Sequence, residues 1–127
     1  MTALILDTGA FIAIERDDRN TVALLKAAQT NSLSLRSNGG VVAEVWRGGS
    51  GKQVRLARFL DAVDLVPIDG DLGRAAGVLI RDARGGSAID ATVVTIAHDG
   101  DQIITSDTID IQALIDSSGR KIGVTSC

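Results

Sequence analysis

Four acidic residues, Asp7, Glu44, Asp90 and Asp107, stand inside stretches that otherwise read as protein core. Asp7 ends the apolar run Ala3-Leu4-Ile5-Leu6, and Asp107 follows Ile103-Ile104-Thr105-Ser106. Glu44 interrupts Val41-Val42-Ala43-Glu44-Val45-Trp46, and Asp90 interrupts Ala88-Ile89-Asp90-Ala91-Thr92-Val93-Val94. An ionised carboxylate is rarely buried unless it is paired or bound to a metal. A fold that accepts four of them is expected to gather them in one acidic pocket. Close like charges stay ionised at neutral pH only when a cation neutralises them. Ligation by oxygen alone, with no clustered His or Cys, points to Mg²⁺ or Mn²⁺.

The spacing of apolar residues predicts alternating strands and helices. Strands are expected at 3–6, 32–36, 64–68 (interrupted by Pro67), 102–105 and 121–125. Helices are expected at 8–16, 20–30 with Asn20 as N-cap, from Asn38-Gly39-Gly40 through Trp46, at 52–62, 70–83 and 108–116. Gly48-Gly49-Ser50-Gly51 reads as a loop too short to link domains. The segment 87–98 is rich in β-branched residues, and Asp99-Gly100 suits a hairpin turn. Helix is preferred there because Ser87, Asp90, Val94 and His98 would share one stripe. Alternation of this kind argues for a parallel sheet covered by helices on both faces, in a single domain spanning 1–127.

Such sheets bind ligands beyond the carboxyl ends of their strands. Asp7 and Asp107 each follow a strand and are expected at the same edge. Each has a plainer alternative as the N-cap of the helix that follows. The plainer alternative for Glu44 is pairing with Arg47, one turn on.

Composition narrows the function. The net charge of −3 does not advertise nucleic-acid binding, and the scarcity of aromatics (Phe11, Trp46, Phe59) argues against a base-stacking platform. Local charge differs: Arg47, Lys52, Arg55 and Arg58 follow one another without an acid between them. Such a strip is either a solvated helix face or a phosphate-holding surface beside the acids. Cys127 is the only cysteine and His98 the only histidine, so Cys/His and Ser/His catalysis look poor. Gly48-Gly49-Ser50-Gly51-Lys52 does not match the spacing of a Walker loop. No apolar stretch reaches the length of a membrane span. The start, Met1-Thr2-Ala3-Leu4, lacks the basic region and cleavage site of a secretory signal, so a cytoplasmic protein is expected.

The ordered motifs resemble a known family. Leu4-Ile5-Leu6-Asp7-Thr8-Gly9-Ala10-Phe11-Ile12-Ala13 is similar to the opening of PIN-domain ribonucleases, and more narrowly of the VapC toxins of bacterial toxin–antitoxin pairs. Val42-Ala43-Glu44-Val45-Trp46-Arg47-Gly48-Gly49 resembles the second acidic motif of that family. Ile89-Asp90-Ala91 and Ile104-Thr105-Ser106-Asp107-Thr108-Ile109-Asp110 resemble the third and fourth, and the resemblance runs over the whole chain. Ser87 stands where many members carry a further acid. The resemblance implies a PIN-like three-layer α/β sandwich with a five-stranded parallel sheet. It implies Mg²⁺ or Mn²⁺ at Asp7, Glu44, Asp90 and Asp107, or at Asp110 in the last motif, with Thr8 and Thr105 in support. It further implies endonucleolytic RNA cleavage, a homodimer, and an antitoxin partner that covers the site. Arg47, Lys52, Arg55 and Arg58 would then hold RNA or that partner.

Other classes fit less well. A receiver domain carries paired acids after its first strand, where Leu6-Asp7-Thr8 offers one. An aspartyl-nucleophile phosphatase resembles Asp-x-Asp there, but Gly9 holds the second position. A non-catalytic scaffold of the same fold has no need of all four acids.

Overall fold

Ala3–Leu6 is apolar at every position, as suits a strand covered on both faces, and it forms β1 at the centre of the sheet. The other strands are β2 (Ser34–Asn38), β3 (Asp64–Val66), β4 (Gln102–Thr105) and β5 (Gly123–Ser126). All neighbours pair in parallel, in the order β3-β2-β1-β4-β5. The structure, a computed structural model, describes residues 2–49 and 51–127; Met1 and Ser50, the latter within the expected glycine loop, lie outside them.

Seven helices are found among the described residues. One layer holds α1 (Thr8–Glu15), α2 (Arg19–Thr30), α3 (Gly39–Val45) and α4 (Val54–Leu60), with α1 touching the other three. The rings of Phe11 on α1 and Phe59 on α4 meet edge-on, with centroids 6.0 Å apart. The other layer holds α5 (Gly70–Ala83), α6 (Ala88–Thr95) and α7 (Thr108–Ser118), which pack on one another. The molecule is thus an α/β sandwich of three layers with an all-parallel five-stranded sheet in the middle. No helix is long and apolar enough to cross a membrane among the described residues.

Several boundaries differ from the sequence reading, each for a local reason. The N-cap of α2 is Asp18, not Asn20: its carboxylate accepts from the Thr21 amide at 3.0 Å. Strand β2 begins at Ser34 because Ser32 and Leu33 still close the end of α2, donating to Gln29 O and Ala28 O. It runs on through the polar Ser37 and Asn38, both fully buried. Strand β3 stops at Val66, since Pro67 has no N–H to give a ladder. The segment 88–95 is helical and no hairpin forms. The expected stripe does not hold, because Val94 is buried along with Ala91, Thr92 and Val93.

Strand order reverses between β1 and β4, the chain leaving β1 towards β2 and returning later to the other flank. In open α/β sheets such a reversal is where ligands bind, outside the carboxyl ends of the strands. The register pairs Leu6 with Ile104, so the residues that follow, Asp7 and Thr105, arrive at that edge together.

Candidate metal centre

Asp7, Asp90 and Asp107 each offer a carboxylate oxygen, and the three oxygens lie within 4.8 Å of one another. Asp7 is buried at 2 % exposure, Asp90 is half-buried and Asp107 is exposed at the mouth. Capping does not account for the two that precede helices. Neither Asp7 before α1 nor Asp107 before α7 makes a side-chain bond to the first turn. Asp90 lies in the first turn of α6, where Ser87 is the N-cap and accepts the Asp90 amide at 3.0 Å. The start of three helices therefore meets at one point. Their free amides favour negative charge there, which partly offsets the repulsion among the carboxylates.

One hydroxyl ties two of the acids together. Thr105 Oγ1 donates to Asp7 Oδ2 at 2.7 Å and accepts the Asp107 amide at 2.9 Å. The main chain reinforces the junction, Asp7 N donating to Ile104 O at 3.0 Å. The other carboxylate oxygen, Asp7 Oδ1, is buried without a partner. Burying an acceptor unpaired is costly, and a cation held by the trio would satisfy it.

Electrostatics agree with that geometry. Burial, above all, pushes the Asp7 carboxyl above its ordinary value, with Asp107 and Glu44 adding to the rise and the Thr105 hydrogen bond opposing it. Burial and then the charge of Asp7 push Asp90 up to about 6, with smaller contributions from Asp107 and Asp110. Cys127 N donates to Thr105 O at 3.1 Å, which places the end of β5 beside the same cluster, and the Cys127 thiol is raised by burial, then by Asp7, Asp18 and Asp107.

Glu44 stands next to the trio rather than in it. It is exposed in the last turn of α3, and its Oε1 accepts the Thr8 hydroxyl at 2.8 Å. Arg47 does not pair with it: the Arg47 guanidinium donates to the carbonyls of Ala43, Glu44 and Trp46, closing the end of α3. Asp110 is exposed in the first turn of α7. Of the basic strip, Arg55 donates to Glu15 O at 3.1 Å and lies 3.9 Å from Asp17, while Lys52 and Arg58 are exposed.

Residues that the sequence did not single out hold these groups in place. Gly9 lets α1 approach the loop after β4, since a Cβ at this position would fall 2.6 Å from Ser106 Oγ and 2.9 Å from its amide. Asn38 accepts the Gly40 and Val41 amides at the start of α3 and donates to Thr92 Oγ1 on α6 at 3.1 Å. It thereby links the helices that carry Glu44 and Asp90. Ser37 donates to Leu6 O at 2.7 Å, next to Asp7. The visible signal was a polar Ser-Asn pair where a strand should continue. Asp101, a further buried acid, is structural: it accepts from the Ala3 and His98 amides and meets Arg36 Nη1 at 3.4 Å.

Compared with known proteins, the chain matches no family model and no curated protein. What the site can do therefore follows from its own atoms. Ligand oxygens around one octahedral Mg²⁺ at 2.0–2.1 Å lie about 3–4 Å apart, so the trio needs only a slight closing to share an ion. Three carboxylates, one of which keeps an unpaired buried oxygen, fit a hard divalent cation.

Proposed function

We propose that this chain is a Mg²⁺- or Mn²⁺-dependent endoribonuclease of the PIN type that acts in the cytoplasm as the toxin of a toxin–antitoxin pair. The observation that carries the reading is the convergence of Asp7, Asp90 and Asp107 at the sheet's reversal point, with Asp7 Oδ1 left unpartnered. A divalent ion held there supplies Lewis-acid polarisation of a phosphodiester and lowers the pKa of an attacking water. Asp7, Asp90 and Asp107 hold the cation, and Thr105 orients Asp7. Glu44 has one carboxylate oxygen occupied by Thr8 and keeps the other free, which would serve as a proton acceptor or a further ligand beside the trio. Asp110, at the mouth, serves as a further ligand or an orienting group.

A basic surface supports RNA as the substrate. Arg55 and Arg58 on α4, with Lys26 on α2, border a groove of about 330 Å³ floored by Ile14, Leu25 and Phe59. The same groove suits the antitoxin, as an amphipathic segment with acidic flanks. A homodimer belongs to this reading and is supported by the exposed apolar Leu65 and Ile68 at the β3 edge.

Expression of the chain alone in bacteria, beside an Asp7→Asn control, is the direct test. Wild type should arrest growth, and the purified protein should cleave RNA with Mg²⁺ or Mn²⁺ but not with chelator. Equal growth of both strains, with no cleavage by either protein, would sink the proposal.

A further inference from the structure

Two grooves meet at Ser106, the neighbour of Asp107, and they differ in charge. One, of about 290 Å³, is bordered by Asp107, Ile109 and Asp110 and has no cation. The other, of about 440 Å³, runs between α1 and the end of β5, lined by Gly9, Ile12, Ala13, Arg16, Ser106 and Cys127 among others. Ser106 belongs to both, and Cys127 N donates to Thr105 O at 3.1 Å. The second groove is therefore continuous with the residues that hold Asp7 and Asp107.

A strand cleaved at the cluster must place its neighbouring phosphates on either side of it. A phosphate is repelled by Asp107 and Asp110 and attracted by Arg16. Arg16 closes α1 with its backbone, and its guanidinium has no hydrogen-bond or ion-pair partner among the described residues. Asp18 lines the same groove and keeps its charge, with Oδ2 turned to the Thr21 amide at the start of α2, so the groove is balanced where the first one is purely acidic. Half-buried Ile12 and Ala13 give an apolar wall for a sugar or base face. The next residue along the chain, Asp17, lines the separate groove that Arg55 and Arg58 border, and it lies 3.9 Å from Arg55.

We propose that the groove between α1 and the end of β5 seats the RNA phosphate adjoining the scissile one, with Arg16 as its counter-charge. This rests on the ribonuclease reading above and adds the direction in which the strand leaves the site.

The test compares Arg16→Gln with Arg16→Lys and with Arg74→Gln, which makes the same charge change on α5, outside both grooves. Binding of mixed-sequence RNA is followed across a salt series in chelator, cleavage is followed with Mn²⁺, and Mn²⁺ binding is measured by calorimetry. Arg16→Gln should raise KM about tenfold, leave kcat within about twofold, and flatten the salt slope by about 0.7. Arg16→Lys should keep the slope, and Mn²⁺ affinity should not change in any variant. If wild type cleaves RNA and Arg16→Gln behaves as Arg74→Gln does, the inference falls while the ribonuclease reading stands. If wild type neither binds nor cleaves RNA, both fall. A parallel loss of Mn²⁺ affinity in Arg16→Gln would also overturn it, since Arg16 would then act through the metal centre.

Discussion

The hydroxyl of Thr105 donates to Asp7 Oδ2 at 2.7 Å across the gap between the two central strands. The same oxygen receives the Asp107 amide, so one side chain sets both the orientation of the deepest acid and the start of α7. Thr105→Val keeps the shape and removes both bonds. It should cost about 1–3 kcal/mol, because a buried carboxylate and an amide each lose a partner. Metal affinity and RNA cleavage should fall, and Thr105→Ser should restore much of both. A valine variant with unchanged melting and Mn²⁺ affinity would show that Asp7 is oriented by the backbone alone.

Gly9 makes a second, steric demand on the same junction. A methyl group at this position would meet the Ser106 side chain and its amide at 2.6 and 2.9 Å. The serine hydroxyl can rotate away; the amide cannot. Gly9→Ala should therefore displace the loop that carries Asp107, costing about 1–3 kcal/mol as overpacking does and weakening Mn²⁺ binding. Gly77→Ala on α5 meets nothing within 4 Å and should instead stabilise by up to about 1 kcal/mol. Calorimetric melts of the two variants side by side check both directions.

The layers and the parallel sheet are legible in the sequence because apolar runs and amphipathic helices alternate along the chain, and period is a local property. The acids stand out for the same reason, each breaking a run. That Asp7 and Asp107 share an edge is legible too, since each follows a strand of a parallel sheet; the separation of Glu44 from the trio depends on how the layers pack, which no local pattern encodes. Asn38 is legible as the opening of α3, but the burial of Ser37 and Asn38 within β2 is not, because buried polar residues make sense only beside their distant partners, Leu6 O and Thr92. Val94 does not lie on an open stripe because a helix packed against both α5 and α7 has almost no such face.

The acidic cluster should make the metal-free protein less stable as pH rises. Burial and neighbouring charge raise the Asp90 carboxyl from 3.8 to about 6, so the folded state holds more protons than the unfolded chain between those values. Stability from this group therefore falls as pH climbs through that window, and the full penalty is present above it. Asp90→Asn removes the penalty. In chelator its melting temperature should match wild type near pH 4 and exceed it by a few degrees near pH 7. Mn²⁺ affinity of wild type should move the other way, rising through about pH 6 as protons stop competing for the carboxylates. A gap between the two proteins that stays constant from pH 4 to pH 7 would mean that Asp90 does not titrate there.

The basic strip should act through charge and not through the metal centre. Arg47 spends its guanidinium on the carbonyls that end α3, so it is left out of the test. Lys52, Arg55 and Arg58 are exposed; Arg55 gives one exposed hydrogen bond to Glu15 O at 3.1 Å and lies 3.9 Å from Asp17 at the surface. A surface pair at this distance adds little to stability, so replacing all three by glutamine should leave the melting temperature within a degree or two. RNA affinity should drop, and each phosphate that is no longer neutralised should flatten the salt dependence by about 0.7 in the logarithmic slope. Mn²⁺ binding should be untouched. If affinity and slope both match wild type, the strip is simply a solvated face and the RNA follows another path from the acids.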